Sequence, residues 1–193
     1  MDDVAVINDY QLAQYFQELS ADSLYPSAGS SAALTAAHAA ALFAMACRVN
    51  LRKIEEKSSE SKNNKGRKTF WQDLLHRATL LLEQSLVLAQ ADGFAIKDYV
   101  EGAPRGAEKA TKIPLNIARC AMEIAALTRR AFPDSYAPVQ ADVECASCLA
   151  EGSKEAALIV ARYNLPLLSP GKQDDFAQQI SACEKDGNKP LTS

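Results

Sequence analysis

The sequence predicts an all-α fold, an antiparallel bundle of about five to six helices, and three observations predict it. Apolar residues recur at three- and four-residue steps over long stretches, most clearly from Phe70 to Ala89. No run alternates apolar and polar residues for the length of a strand. Glycine, proline and short polar residues gather at 23–29, 102–106, 132–138 and 165–171, between the periodic stretches, as connections in a bundle do. A chain of 193 residues is long enough for one well-formed core and short for two, so 1–193 reads as a single helical domain.

Asn8 or Asp9 can cap a first helix that carries Leu12, Tyr15, Phe16 and Leu19 at helical spacing and ends by Asp22 and Ser23. The stretch from Leu24 to Cys47 then joins a turn directly to a helix of small residues. Pro26 fixes φ, Gly29 allows a close or left-handed backbone, and Ser30 or Ser31 can accept from first-turn N–H groups, so a second helix starts near Ser30 and runs to about Ile54. Its alanines, among them Ala32, Ala36, Ala40 and Ala44, let a neighbouring helix approach at the short end of the roughly 8–10 Å interaxial range. Open N–H groups at such a start suit an anion or a polarised carbonyl, and they equally suit an ordinary cap.

The all-polar run Glu55 to Lys68 breaks this helix, and 57–68 is expected to be a flexible loop. Thr69 then caps a third helix, striped by Trp71, Leu74, Ala78, Leu81, Ser85 and Leu88, which at about 30 residues would reach roughly 45 Å. Gly102, Pro104 and Gly106 end it. A fourth helix covers about 107–131, with Pro114 either kinking it or opening its main part. A fifth spans 139–164, softly interrupted at Gly152 and Ser153, and a sixth spans 172–185 with Phe176, Ile180 and Cys183 on one face. Residues 187–193 have no apolar period and read as a frayed tail.

Composition excludes several functions. A net charge of −3 gives no electrostatic reason to expect nucleic acid. The N-terminus carries acid where a signal peptide needs base, and no stretch reaches the roughly 18 uncharged apolar residues of a membrane span, so a cytoplasmic protein is expected. Five cysteines, an odd number scattered along helices, argue for reduced thiols. Cys145 and Cys148 share a helix turn, but zinc needs about four ligands and no second pair accompanies them, so buried thiols and no metal site are expected. His38 reads as a hydrogen-bonded packing residue among alanines, and His76, between stripe positions, as exposed.

Asp92 is the sharpest candidate for chemistry. Stepping along the third helix from Leu81 through Ser85, Leu88 and Ala89 lands on it, so its carboxyl points inward, where burial raises its pKa toward a useful acid/base range. The same position also suits a buried aspartate that caps a neighbouring helix or pairs with a cation. Asp142 and Asn164 lie on one series of three- and four-residue steps along the fifth helix, through Ala146, Leu149, Ser153, Ala156 and Val160.

The run from Pro26 to Leu34, PSAGSSAAL, resembles the P-G-G-G-S-x-A-A-L signature of the cyclodeaminase/cyclohydrolase family of folate enzymes. Three later stretches fall in the family's order: Ala91 to Tyr99 is similar to its A-D-x-x-A-(F/I)-x-x-Y helix, Ile113-Pro114-Leu115 to its x-P-L helix start, and Ala141-Asp142 through Asn164-Leu165 to its S-D…N-L helix. The resemblance spans about residues 8–180. Two of the three motif glycines are Ser27 and Ala28 here, and Ala141 stands where the family has serine.

The resemblance implies a cyclodeaminase-like bundle and an enzyme, methenyltetrahydrofolate cyclohydrolase or formiminotetrahydrofolate cyclodeaminase, acting on the C–N bond of an N5/N10-bridged one-carbon unit. It implies Asp92 as the catalytic residue, with Ser27, Ala28, Gly29, Ser30, Ser31, Asp142 and Asn164 binding a folate-like substrate. No tightly bound cofactor is expected, since the tetrahydrofolate derivative is itself the substrate. Ser27 and Ala28, which add atoms where a ligand would meet backbone, favour an alternative: the same fold redirected to another small-molecule cyclisation, or to a non-catalytic binding or assembly role. The resemblance also implies a symmetric homodimer. The small-residue faces Ala32–Ala44 and Ala146–Ala157, more than one spine helix can cover, point the same way.

Overall fold

The computed structural model describes residues 11–56 and 62–185. Among them are six α-helices and no strand: α1 (Leu12–Ser20), α2 (Ala28–Glu56), α3 (Lys62–Val100), α4 (Gly106–Ala131), α5 (Gln140–Asn164) and α6 (Pro170–Lys185). Short 3-10 turns at Phe132–Asp134, Ala137–Val139 and Leu165–Leu167 make the later connections. The expected caps Asn8 and Asp9 and the tail 187–193 lie outside the described residues.

Four long helices form an antiparallel square in which α2 packs against α3 and α5, and α4 completes the figure diagonally from α2. Ion pairs set the direction of α4 against α3, with Lys109 on Asp98 at one end and Arg77 on Glu123 further along. Alanine is the reason the square can be tight. Ala32, Ala33, Ala36, Ala39 and Ala40 of α2 are buried among Leu81, Ala89, Leu115, Ala118 and Ala157 of the other three helices. Toward the other end, Phe43, Cys47, Trp71, Leu74 and Val143 form a second cluster, where burying a side chain such as Phe43 contributes about 1.5–3 kcal/mol.

Four expectations need correction. Residues 62–68 are helical, so α3 starts well before Thr69, whose hydroxyl donates to the Lys65 carbonyl from inside the helix. Lysine, arginine and asparagine tolerate helix. Contacts hold this turn as well, from Lys68 to Glu55 and from Arg67 to the Asp134 carbonyl. The remaining stretch, 57–61, lies outside the described residues.

The fifth helix is not interrupted at Gly152 and Ser153: Ser153 is fully buried and donates to the Ala32 carbonyl at 2.7 Å, pinning α5 to α2. Pro114 sits inside an unbroken α4.

The third correction concerns polar side chains. Cys145 and Cys148 are exposed, because they fall on the outer face of α5, and His38 likewise faces outward from α2. His76 is exposed, as its place in the stripe predicts.

The last concerns α2, which is long and apolar enough to cross a membrane by length and composition. Its apolarity belongs to the core, since 56% of the most apolar window is buried inside the bundle.

Candidate active site

Helix α2 begins at a serine-rich turn. The Ser27 carbonyl accepts the first intrahelical bond, from the Ser31 N–H at 3.0 Å. Ser30, expected to cap the turn, instead turns back: its hydroxyl donates to the Ser27 carbonyl at 2.8 Å and accepts from the Ser27 N–H at 2.9 Å. Ser31 Oγ also donates to the Ser27 carbonyl and contacts the Tyr15 hydroxyl. The group that meets the open first turn comes from α3. Asp92, 2% exposed, accepts the Ser27 hydroxyl on Oδ2 at 2.9 Å and takes a hydrogen bond from the Ser30 backbone N–H.

Gly29 makes this reach possible. A Cβ at residue 29 would overlap all three terminal atoms of the Asp92 carboxyl. Of the three positions where the resemblance sets glycine, this chain keeps the one against which the carboxyl lies. Gly93 does the same for Tyr25, whose ring occupies the space of a Cβ and whose hydroxyl donates to the Ala89 carbonyl at 3.0 Å. Tyr15 and Tyr25 were absent from the sequence candidates. Tyr25 was signalled only by its place beside Pro26 in the motif, and Tyr15 only by helical spacing.

Burial holds the Asp92 carboxyl above its ordinary pKa, and the bonds from Ser27 and Ser30, which favour the charged form, offset part of that effect. Ser27 and Ser31 are half-buried and Ala28 is exposed, so the cluster reaches solvent along the turn while the carboxyl lies behind it. A group so placed holds its proton to higher pH than an exposed carboxyl does. Its hydrogen-bonded contact toward the half-buried turn is the Ser27 hydroxyl.

The structure brings Asp92, Ser27, Ala28, Gly29, Ser30 and Ser31 together and separates Asp142 from them. Val143, beside Asp142, packs with Phe43 and Cys47, which puts Asp142 about 20 Å further along the bundle at 1.5 Å per residue. The face that carries the steps from 142 to 164 runs along the edge of the buried surface, since Ala146 and Ser153 are buried and Leu149 is exposed. Asn164 lies at the Asp92 end, but its amide donates to the Ala110 carbonyl and its own carbonyl accepts from Thr111, so it ties α5 to α4. Among the described residues no group of three or more His, Cys, Asp or Glu side chains is placed to hold a metal ion.

No curated protein matches the sequence. The crystal structure of formiminotetrahydrofolate cyclodeaminase from Thermotoga maritima superposes with a TM-score of 0.76 at 13% identity, covering 94% of this chain and 95% of that one. The likeness establishes the fold. A family model described as formiminotransferase-cyclodeaminase matches residues 11–183, which include α1 to α5, all but the last two residues of α6, and the whole Ser27–Asp92 cluster. With that match the chain belongs to the formiminotransferase-cyclodeaminase family.

Proposed function

We propose that the chain is a folate one-carbon enzyme acting on the C–N bond of an N5/N10-bridged one-carbon unit, with Asp92 as its proton-transfer group. One observation carries the reading: a buried carboxyl of raised pKa is hydrogen-bonded at 2.9 Å to the half-buried Ser27 hydroxyl, inside the stretch that resembles the family signature. In the cyclohydrolase direction water adds to the amidinium carbon and a ring C–N bond opens. In the cyclodeaminase direction N10 attacks the formimino carbon and ammonia leaves. Both move a proton between nitrogen and oxygen or nitrogen beside a cationic carbon, which a carboxyl can donate, accept and stabilise. Ser27 relays that proton, Ala28–Ser31 meet the substrate along the turn, and Asn164 holds the end of α5 beside it. We leave Asp142 out of the site.

Absorbance decay of methenyltetrahydrofolate tests one direction, and ammonia release from formiminotetrahydrofolate the other. Acceleration of either by the wild-type chain, lost in Asp92→Asn, is the expected result. A folded sample that accelerates neither refutes the enzyme reading. That outcome favours the second reading, a fold kept for binding or assembly, which one observation supports: the bond from the Ser30 backbone N–H to Asp92 is that of a helix cap.

We also propose a homodimer in the cytosol, though on different grounds from the alanine faces, which are covered within one chain. Support comes from exposed apolar side chains on the long helices: Leu80, Val87 and Phe94 at seven-residue spacing on α3, and Leu149, Ile159 and Tyr163 on α5.

A further inference from the structure

At the far end of α2 from Gly29, about 36 Å away by helix rise, a second and unrelated cleft opens between α2, the start of α3 and the 132–136 turn. It is a half-open cleft of about 80 Å³ lined by Asn50, Lys53, Ile54, Asn64, Arg67, Asp134, Ser135 and Tyr136, room for a small ion rather than for a drug-sized molecule. Its floor is built rather than incidental. Asn50, 3% exposed, donates to the Ala46 carbonyl and to Ser135 Oγ, and accepts the Tyr136 N–H at 2.7 Å. One side chain thereby clamps the turn to α2.

The clamp places the Tyr136 ring beneath Lys53 Nζ, 5.5 Å from the ring centroid. Lys53 is also paired with Glu56, at the outer edge. Arg67 enters from α3, and among the described residues its hydrogen bond is a 3.4 Å contact from a terminal N–H to the Asp134 carbonyl. A guanidinium has five N–H donors in a planar fork, so most of this one is open. Neither cation is paired with the Asp134 carboxylate. Two cations, the Asn64 amide and an aromatic edge thus converge on a rigid floor with one carboxylate among them, which is the chemistry of oxyanion recognition.

We propose that this cleft binds a small oxyanion, a carboxylate or a phosphate, with Arg67 as its principal donor and Lys53 as its second. The proposal does not rest on the folate reading and stands or falls apart from it.

The test is a titration of the full ¹⁵N-labelled chain with inorganic phosphate and, separately, with glutarate, at ionic strength held constant with sodium chloride. Saturable shifts at the Tyr136 amide and the Asn50 side-chain amide are expected, with dissociation constants at or below the millimolar range. Arg67→Ala should weaken binding at least tenfold, Arg67→Lys should fall between, and Arg52→Ala, on the exposed side of α2, should leave it unchanged. Saturation by phosphate alone, by glutarate alone or by both identifies the oxyanion and supports the site. Shifts that track salt only, that map elsewhere, or that persist unchanged in a folded Arg67→Ala chain overturn it.

Discussion

Gly29→Ala offers the sharpest check on the Ser27–Asp92 cluster, because the structure and helix propensity predict opposite signs. In an ordinary helix the change stabilises by about 1 kcal/mol. Here the added methyl falls on the Asp92 carboxyl, which has backbone beneath it and bundle behind it, so the carboxyl must withdraw from Ser30 and Ser27. Loss of a capping carboxylate costs about 1 kcal/mol, and leaving a buried polar group without its partners costs a further 1–3 kcal/mol or so. After the propensity gain, the net is about 2 kcal/mol of destabilisation. At roughly 2–4 °C per kcal/mol for a chain of this size, that lowers Tm by about 4–8 °C. Thermal unfolding followed by far-UV circular dichroism reads it directly. The double variant Gly29→Ala/Asp92→Ala should be little worse than Asp92→Ala alone, since the second methyl then meets no carboxyl. An unchanged or raised Tm in Gly29→Ala, or strict additivity in the cycle, refutes the contact.

Asp92→Asn should abolish turnover and leave the far-UV signal nearly intact, because the amide keeps the volume and an acceptor for Ser27; full retention of rate would make Asp92 purely structural. The same variant carries a pH signature. Since the folded carboxyl holds its proton above the ordinary value of 3.8, the stability it contributes is complete below that value and is lost as pH rises through the folded pKa. Urea midpoints should therefore shift in favour of Asp92→Asn, relative to wild type, as pH rises above the ordinary carboxylate range, and a constant difference would contradict the raised pKa. Native chain should react promptly with a thiol reagent at Cys145 and Cys148 and slowly at Cys47, whose thiol burial pushes up to about 12. Replacing the exposed pair by alanine should alter neither activity nor, beyond about 0.5 kcal/mol, stability. Light scattering coupled to size exclusion should give twice the 20.8 kDa of one chain, and a single species at that mass on micromolar loading would refute the dimer.

The fold was legible wherever a pattern repeated often enough to outvote its exceptions. The α3 stripe located Asp92 on the inner face because six apolar or small positions pointed the same way. Composition misled at 62–68, where polarity reports exposure rather than loop, and a polar run with an ion pair at Lys68 and a carbonyl contact at Arg67 sits on an exposed helix as readily as in a connection. Spacing alone likewise left the distance of Asp142 from the Ser27–Asp92 cluster unread. Steps of three and four over 22 residues return to nearly the same face, but they carry the two residues about 33 Å apart along the helix axis. The cap itself was anticipated as an alternative role for Asp92, yet its target was hidden: that carboxyl and first turn are 62 to 65 positions apart in sequence, and only packing unites them.

That separation has a dynamic consequence. A helix start capped by its own serine can fray and reform alone, whereas the first turn of α2 is completed by a residue on α3 and pinned again by Ser153 from α5. Its amide protons should exchange with solvent only when the 89–93 stretch of α3 lifts away, so protection at Ser30 and at residues near Asp92 should rise and fall together under denaturant. The beginning of α2 and the latter part of α3 then form one opening unit, distant in the chain and inseparable in solution.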